Sequence, residues 1–252
     1  MIRVAAVGDL HIGTEARGHF RPAFTGLAGT ADLLLIAGDL TRRGTREEAL
    51  AVRDELTGLG IPVVTVLGNH DYESDMQHEI AAILTDAGIV VLEGTSSVLE
   101  IGGVRVGVAG TKGFGGGFTG SSGAEFGEQE MKAFIRHGRM HAERLGAALE
   151  ALEADVRIAL LHYAPVRETL RGEPPEIFPF LGSFLLGEAV DRAGADLVLH
   201  GHAHAGVEKG VTPGGIHVRN VAHPVIRHAY GLYTLEPKPR AARPEPESIA
   251  IT

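Results

Sequence analysis

The sequence predicts an α/β fold of two packed β-sheets flanked by helices. Short apolar runs that end at glycine alternate with helix-length segments through the first half of the chain. The second half is richer in strand signals, a shift that points to a second sheet rather than one continuous parallel one. With 252 residues, 44% apolar and 22% charged, the chain can bury a sizeable core. No repeat and no linker divides it, so residues 1–235 read as a single domain. Residues 236–252 form a Pro- and charge-rich tail expected to be partly disordered.

Each element has a local reason. Ile2–Val7 and Leu33–Ala37 are apolar runs of strand length. Thr45-Arg46-Glu47-Glu48 fits a capping box and opens a helix expected to reach about Leu59. Ile61–Leu67 is β-branched and strand-like, and a second helix is expected over Asp75–Ala87. Ser97–Ile101 and Val104–Ala109 flank the turn residues Gly102-Gly103. Gly110–Gly127 is too glycine-rich to be regular. A long helix is expected from Glu128 to Ala154, with Met131, Phe134, Ile135, Leu145, Leu149 and Leu152 on one face. Ile158–Leu161 and Leu197–Leu199 are further strands, separated by a Pro-rich loop and a helix over Ser183–Ala193. Antiparallel strands are expected near Val207, Ile216–Val221 and Gly231–Leu235.

A net charge of −9 supplies no general basic field for nucleic acid or anionic membrane. With no cysteine, disulfides and thiolate ligands are excluded. No run is long enough to span a bilayer, and no signal-peptide core is visible, so a cytoplasmic protein is expected.

Seven metal-capable side chains stand at the ends of the apolar runs. They are Asp9 and His11 in GDLH, Asp39 in GDLT, Asn69 in GNHD, His162 in LLHY, and His202 and His204 in GHAH. In α/β sheets the carboxyl ends of strands border the crevice where ligands bind. Buried ionisable groups gathered there need a shared partner, and metal ions supply one. Carboxylate oxygen plus imidazole, without sulfur, suits Mn, Fe, Zn or Co. Singly, each motif also has a plain structural reading as a turn, a cap or a packed histidine.

In their order, D-x-H, G-D, G-N-H-[DE], H and G-H-x-H, these residues resemble the signature of the calcineurin-like metallophosphoesterases, across Gly8 to His204. The resemblance implies a four-layer α/β/β/α sandwich of two mixed β-sheets flanked by helices, and two divalent metal ions per chain, manganese favoured. It implies that Asp9, His11 and His204 hold the first metal, that Asn69, His162 and His202 hold the second, and that Asp39 bridges them. His70 resembles the family's catalytic histidine, which serves the leaving group, a task suited to imidazole. Asp71 is expected to support or cap. Two cations about 3.5–4 Å apart can activate a shared water and neutralise phosphoryl oxygens. The expected activity is hydrolysis of a small or nucleotide-like phosphodiester by a metal-bridging hydroxide.

One position departs from the protein phosphatases of this family, where G-D-x-x-D-R-G places an aspartate that orients the catalytic histidine. Here Arg42 stands at that place, which leaves open what orients His70 and argues against a protein phosphatase. Arg42 is a candidate for substrate phosphate. Lys112 is another, at the head of the glycine loop Gly113–Gly120, read either as a mobile substrate loop or as a plain surface loop. The formal G-x-G-x-x-G within it is rejected as a dinucleotide site because no helix opens behind it. Ile177–Leu181 with Phe184–Leu186 is read as a wall of the cleft, a contact in a homo-oligomer, or ordinary packing. His19, His78, His137 and His141 look like surface residues, and His200 a packed one. Two alternatives stand beside the phosphodiesterase: a nuclease of the same family, opposed by the acidic charge, and a non-catalytic binding scaffold, opposed by the complete ligand set.

Overall fold

The computed structural model describes residues 1–238; residues 239–252, most of the tail expected to be disordered, lie outside the described residues. One sheet has the strand order Gly231–Leu235, Ile2–Val7, Leu33–Ala37, Val63–Val66 and Val90–Val91. It is parallel except for its first strand, which lies antiparallel to Ile2–Val7. The other sheet runs Lys209–Val211, His217–Asn220, Leu197–His200, Val156–Leu161, Val104–Thr111 and Thr95–Ile101. Its four inner strands are parallel and its two edges antiparallel.

Strand periodicity sorts the side chains into layers. Successive residues point to opposite faces, so Leu33, Leu35 and Ala37 pack against the second sheet while Leu34 and Ile36 face helices. The inter-sheet layer joins Val4, Ala6, Leu35 and Val64 to Val108, Ile158, Leu160 and Leu199. Outside the first sheet lie helices Arg46–Leu56 and Gln77–Asp86, through Ala49, Val52, Ile80 and Leu84. Outside the second lie Gln129–Glu150 and Phe184–Ala193, through Leu145, Leu149, Leu186 and Val190. The architecture is the four-layer α/β/β/α sandwich. The inner strands are apolar on both faces because each is covered twice.

Several local expectations change. The Thr45 capping box forms, with Glu48 N–H bonded to the Thr45 hydroxyl, but the helix stops at Leu56. The second helix starts at Gln77, because Asp75 holds a left-handed φ of 56° that helical geometry excludes. The long helix ends at Glu150, and Met131 on its first turn is 46% exposed rather than packed. Within Gly110–Gly127, Thr111 extends a strand and Gly117–Phe118 pairs with Ser121–Ser122. Glycine permits the left-handed φ of 83° that turns this small hairpin at Gly120. The loop is tied down by Gly116 N–H to Pro179 O and Gly117 N–H to Gly182 O, at 2.7 and 3.0 Å. His217–Asn220 runs parallel to Leu197–His200, and Gly231–Leu235 joins the other sheet. At the start of the tail, Lys238 N–H bonds Asp155 O at 2.9 Å.

Leu35 is fully buried between the sheets. Leu35→Ala should lose about 2–5 kcal/mol, read as a lower urea midpoint with an unchanged m-value.

Candidate metal centre

Five strand ends deliver the ligand candidates, and at three of them the backbone turns left-handed. Asp9, His11, Asp39 and His202 all adopt left-handed backbone, with φ of 59°, 45°, 50° and 70°. Such conformations cost on the order of 1–3 kcal/mol each for a residue with a side chain, and persist only where the surroundings enforce them. Here cross-ties enforce them: Asp9 N–H donates to Gly38 O and His11 N–H to Asp39 O, both at 3.0 Å. The neighbouring chain comes so close that a Cβ at Gly68 would lie 2.0 Å from Asp39 Oδ1, and one at Gly201 would lie 2.3 Å from Asp9 Oδ2. Glycine precedes Asn69 and His202 because no side chain fits there.

All seven candidates are brought together. Asp9, His11, Asp39 and His204 offer ligand atoms within 4.8 Å of one another, and Asp39, His162 and His202 form a second such group. Asn69 Oδ1 joins the second group, 2.9 Å from His162 Nε2. Asp39 belongs to both.

The donor chemistry fits cations. A carbonyl oxygen only accepts, so the 2.8 Å contact of His162 Nδ1 with Ala37 O places the proton on Nδ1. Nε2 then turns its lone pair toward Asn69 Oδ1 at 2.9 Å and Asp39 Oδ1 at 3.3 Å. Three acceptors converge, an arrangement that a cation stabilises. His11 Nε2 is buried without a hydrogen-bond partner. His202 Nε2 donates to Phe180 O at 3.3 Å, which leaves the lone pair on Nδ1. Its main-chain N–H meanwhile holds both Asp9 oxygens at 3.0 Å. His204 Nε2 lies 2.8 Å from Asp9 Oδ1, and that bond raises its pKa. Burial holds His11 down to about 4 and His202 to about 3, and drives His162 well below its ordinary range. Imidazoles kept neutral are imidazoles available as ligands.

The supporting residues answer the question left open at Arg42. The Arg42 main-chain carbonyl accepts from His70 Nδ1 at 2.7 Å. That bond fixes the ring so that Nε2 faces the centre, 4.0 Å from Asp39 Oδ2. The His70 ring stands 4.5 Å from that of His11. The Arg42 side chain meanwhile pairs with exposed Glu15. Asp71, fully buried, accepts from Gly68 N, Thr41 N and Thr41 Oγ1 at 2.8, 2.8 and 2.6 Å. It thereby clamps the loop of Asp39 to the loop of Asn69. Lys112 is not on a loose loop: it is 5% exposed at a strand end. His141 is buried, not on the surface, with Nδ1 2.8 Å from Thr111 Oγ1. Of the apolar stretch, Phe180 meets the centre through its carbonyl. Glu93 and Tyr72, bonded at 3.3 Å beside the site, carried no sequence signal, since neither lies in a motif.

Fold and site together define a metallo-dependent phosphatase-like protein. The family model for calcineurin-like phosphoesterases matches residues 2–206, and the chain belongs to that family of divalent-metal-dependent phosphoester hydrolases. It is 24% identical over 230 residues to the uncharacterized protein YpbG of Bacillus subtilis (strain 168), covering 87% of this chain and 70% of that one. Its fold is similar to that of phosphopantetheinyl hydrolase from Mycobacterium tuberculosis, with TM-score 0.69, 17% identity, and coverage of 95% of this chain and 98% of that one. The protein TT1561 of Thermus thermophilus is similar at TM-score 0.56 and 19% identity, with 87% and 88% covered. At these identities the structural likeness concerns the fold.

The electrostatics predict an unusual stability profile without metal. Burial first, then the Asp9 and Asp71 carboxylates, push the Asp39 carboxyl up from 3.8 to about 9. Between those values the native state holds a proton that the unfolded chain has released, so this group's contribution falls as pH rises. Neutral His11 and His202 act oppositely: their contribution is present above 6.5 and is lost as pH falls toward about 4 and about 3. The chelated protein should therefore be most stable around pH 6.5. Divalent metal, which binds the ionised carboxylate, should remove the alkaline decline. Thermal melts across pH with and without Mn²⁺ measure this; a chelated protein that keeps gaining stability up to pH ~9 would contradict it.

Proposed function

We propose that this chain is a dinuclear metal-dependent phosphodiesterase that hydrolyses a small, nucleotide-like phosphoester. The observation that carries the reading is the sharing of Asp39 between two groups of ligand atoms. Asp9, His11 and His204 would hold one ion, and Asn69, His162 and His202 the other, with Asp39 between them. This oxygen and imidazole set suits Mn, Fe, Zn or Co, and we take Mn²⁺ as the favoured ion on the family resemblance. Bound there, the ions would supply Lewis acidity toward the phosphoryl oxygens and lower the pKa of a water.

The chain's own contribution is positioning and proton transfer. Asp9 and Asp39 bring two negative charges to a site where burial favours the neutral forms of His11, His162 and His202, so bound divalent ions keep a net positive charge for an anionic phosphoester. His70, turned by the Arg42 carbonyl, presents Nε2 on the open side of the centre and delivers a proton to the departing oxygen. Arg42 replaces the aspartate that orients this histidine in protein phosphatases, which supports a small-molecule substrate over a phosphoprotein. We take residues 1–235 as one catalytic domain working in the cytoplasm; among the described residues no helix is long and apolar enough to cross a membrane.

The first test is turnover of bis(p-nitrophenyl) phosphate. Asp39→Asn and His202→Ala should each lower kcat by at least about 100-fold, chelation should abolish activity, and Mn²⁺ should restore it. Full activity after exhaustive chelation would end the proposal. His70→Ala should cost about 100-fold or more on an alkyl or nucleoside ester, and markedly less on a p-nitrophenyl ester, whose leaving group needs little protonation. Equal losses on both would remove His70 as the acid.

A further inference from the structure

A cavity of about 650 Å³ opens beside the metal centre. Asn69 lines it and so belongs to both sites. Tyr163, also in its wall, has its ring 4.3 Å from that of His202. A volume of this order holds a nucleotide-sized group and excludes a duplex or a folded protein segment. Leu67, Ala81, Val91 and Met140 give it apolar walls, and Tyr72, Phe114 and Tyr163 give it aromatic ones.

The polar groups in this cavity are arranged for an anion. Lys112 Nζ is held between the rings of Tyr72, Phe114 and Tyr163, at 4.9, 5.0 and 5.2 Å from their centroids. Aromatic faces offset part of the cost of burying an ammonium but accept no conventional hydrogen bond. Its three N–H groups make one long bond among the described residues, 3.3 Å to Gly113 O. Burial lowers the Lys112 pKa while Glu93 and Asp39 act to raise it. Around it stand Arg144, His78, His137 and His141, with Glu93 as the single carboxylate in the lining. Glu93 is itself pushed up to about 7, chiefly by burial, so it is partly protonated near neutrality. His137 and His141 are lowered by burial and then by Lys112, a sign that these groups share one positive field. Their Nε2 atoms lie 3.2 Å apart, close enough for one to donate to the other.

We propose that this cavity receives the organic part of the substrate, and that this part carries a second phosphate, bound by Lys112 with Arg144 and His137. A lysine and an arginine together match a phosphate dianion better than a single carboxylate, and ring walls suit a flat base or a similar apolar body. The inference rests on the phosphoesterase reading and narrows it to phosphoesters that bear a further phosphate away from the scissile one. Lys112 is then a specificity residue, and simple esters such as bis(p-nitrophenyl) phosphate use only part of the site.

A matched pair of substrates tests this on the Mn²⁺-loaded protein: the p-nitrophenyl ester of thymidine 5′-monophosphate, with and without a 3′-phosphate. The 3′-phosphate should raise kcat/KM by about tenfold or more, chiefly through KM. Lys112→Met, which keeps the length and apolar contacts of the stem, should bring the ratio near one, and exposed Arg144→Ala should reduce it by about threefold. Lys112→Arg should retain much of the preference. Calorimetric binding of thymidine 3′,5′-bisphosphate against thymidine 5′-monophosphate gives a second readout that needs no turnover. If bis(p-nitrophenyl) phosphate is not hydrolysed at all, the phosphoesterase reading falls while the binding comparison still decides the cavity. Equal affinity for the two nucleotides, or equal losses on both esters in Lys112→Met, would overturn the proposal; the latter would place Lys112 on the scissile phosphate.

Discussion

Three aspartates lie together in the interior, and the centre depends on how each is compensated. Asp9, Asp39 and Asp71 are all nearly inaccessible to solvent. A buried carboxylate is costly unless hydrogen bonds or an opposite charge offset its lost hydration. Asp71 is offset by donors, since Gly68, Leu40 and Thr41 surround it with N–H and O–H groups. Among the described residues Asp39 has one such donor, the His70 N–H at 2.9 Å, and it feels the other two aspartates. The same burial therefore yields a structural anchor in one case and a candidate cation ligand in the other. What separates them is the number of N–H groups within reach.

That difference ties local strain to function. The left-handed turns at Asp9, His11, Asp39 and His202 are unfavourable in isolation. They are tolerated because the parallel strands before them are almost wholly buried and because backbone bonds stitch one loop to the next. Each turn ends a strand by reversing the chain, which sends its side chain inward over the sheet edge instead of along it. The two-sheet architecture then completes the site: Asp9, His11, Asp39 and Asn69 come from the first sheet, and His162, His202 and His204 from the second. The inter-sheet core, with Leu35, Val64, Ile158 and Leu160, holds those two halves in register.

Backbone atoms do much of the positioning. Carbonyls of Ala37, Arg42 and Phe180 set the proton positions on His162, His70 and His202. Arg42 shows the consequence. A side chain of opposite charge stands where related phosphatases carry an aspartate, yet His70 is still oriented, because the main chain at that position offers an acceptor whatever residue occupies it. The adjacent cavity adds a separate layer, in which aromatic rings and a buried lysine sit next to the metal ligands without belonging to them.

The ligand candidates were legible in the linear chain because metal chemistry restricts residue type: only Asp, Asn and His at strand ends satisfy it, and their order along the chain repeats a family pattern. The alternation of apolar segments likewise disclosed two packed sheets flanked by helices, since burial on two faces leaves a continuous apolar run, while the four-layer order came from the family resemblance. The orienting carbonyl of Arg42 was not legible, because every residue has a carbonyl and only the folded path of the loop selects one. His141 read as a surface residue among Arg139, Glu143 and Arg144, until packing of its helix turned that one position toward Thr111. Lys112 read as a candidate substrate contact at the head of a mobile or plain surface loop, and its burial was not legible for the same reason. Sequence alone determined which chemistry the centre can perform; tertiary structure decided which groups are buried beside it, because burial is a property of what the rest of the chain brings alongside.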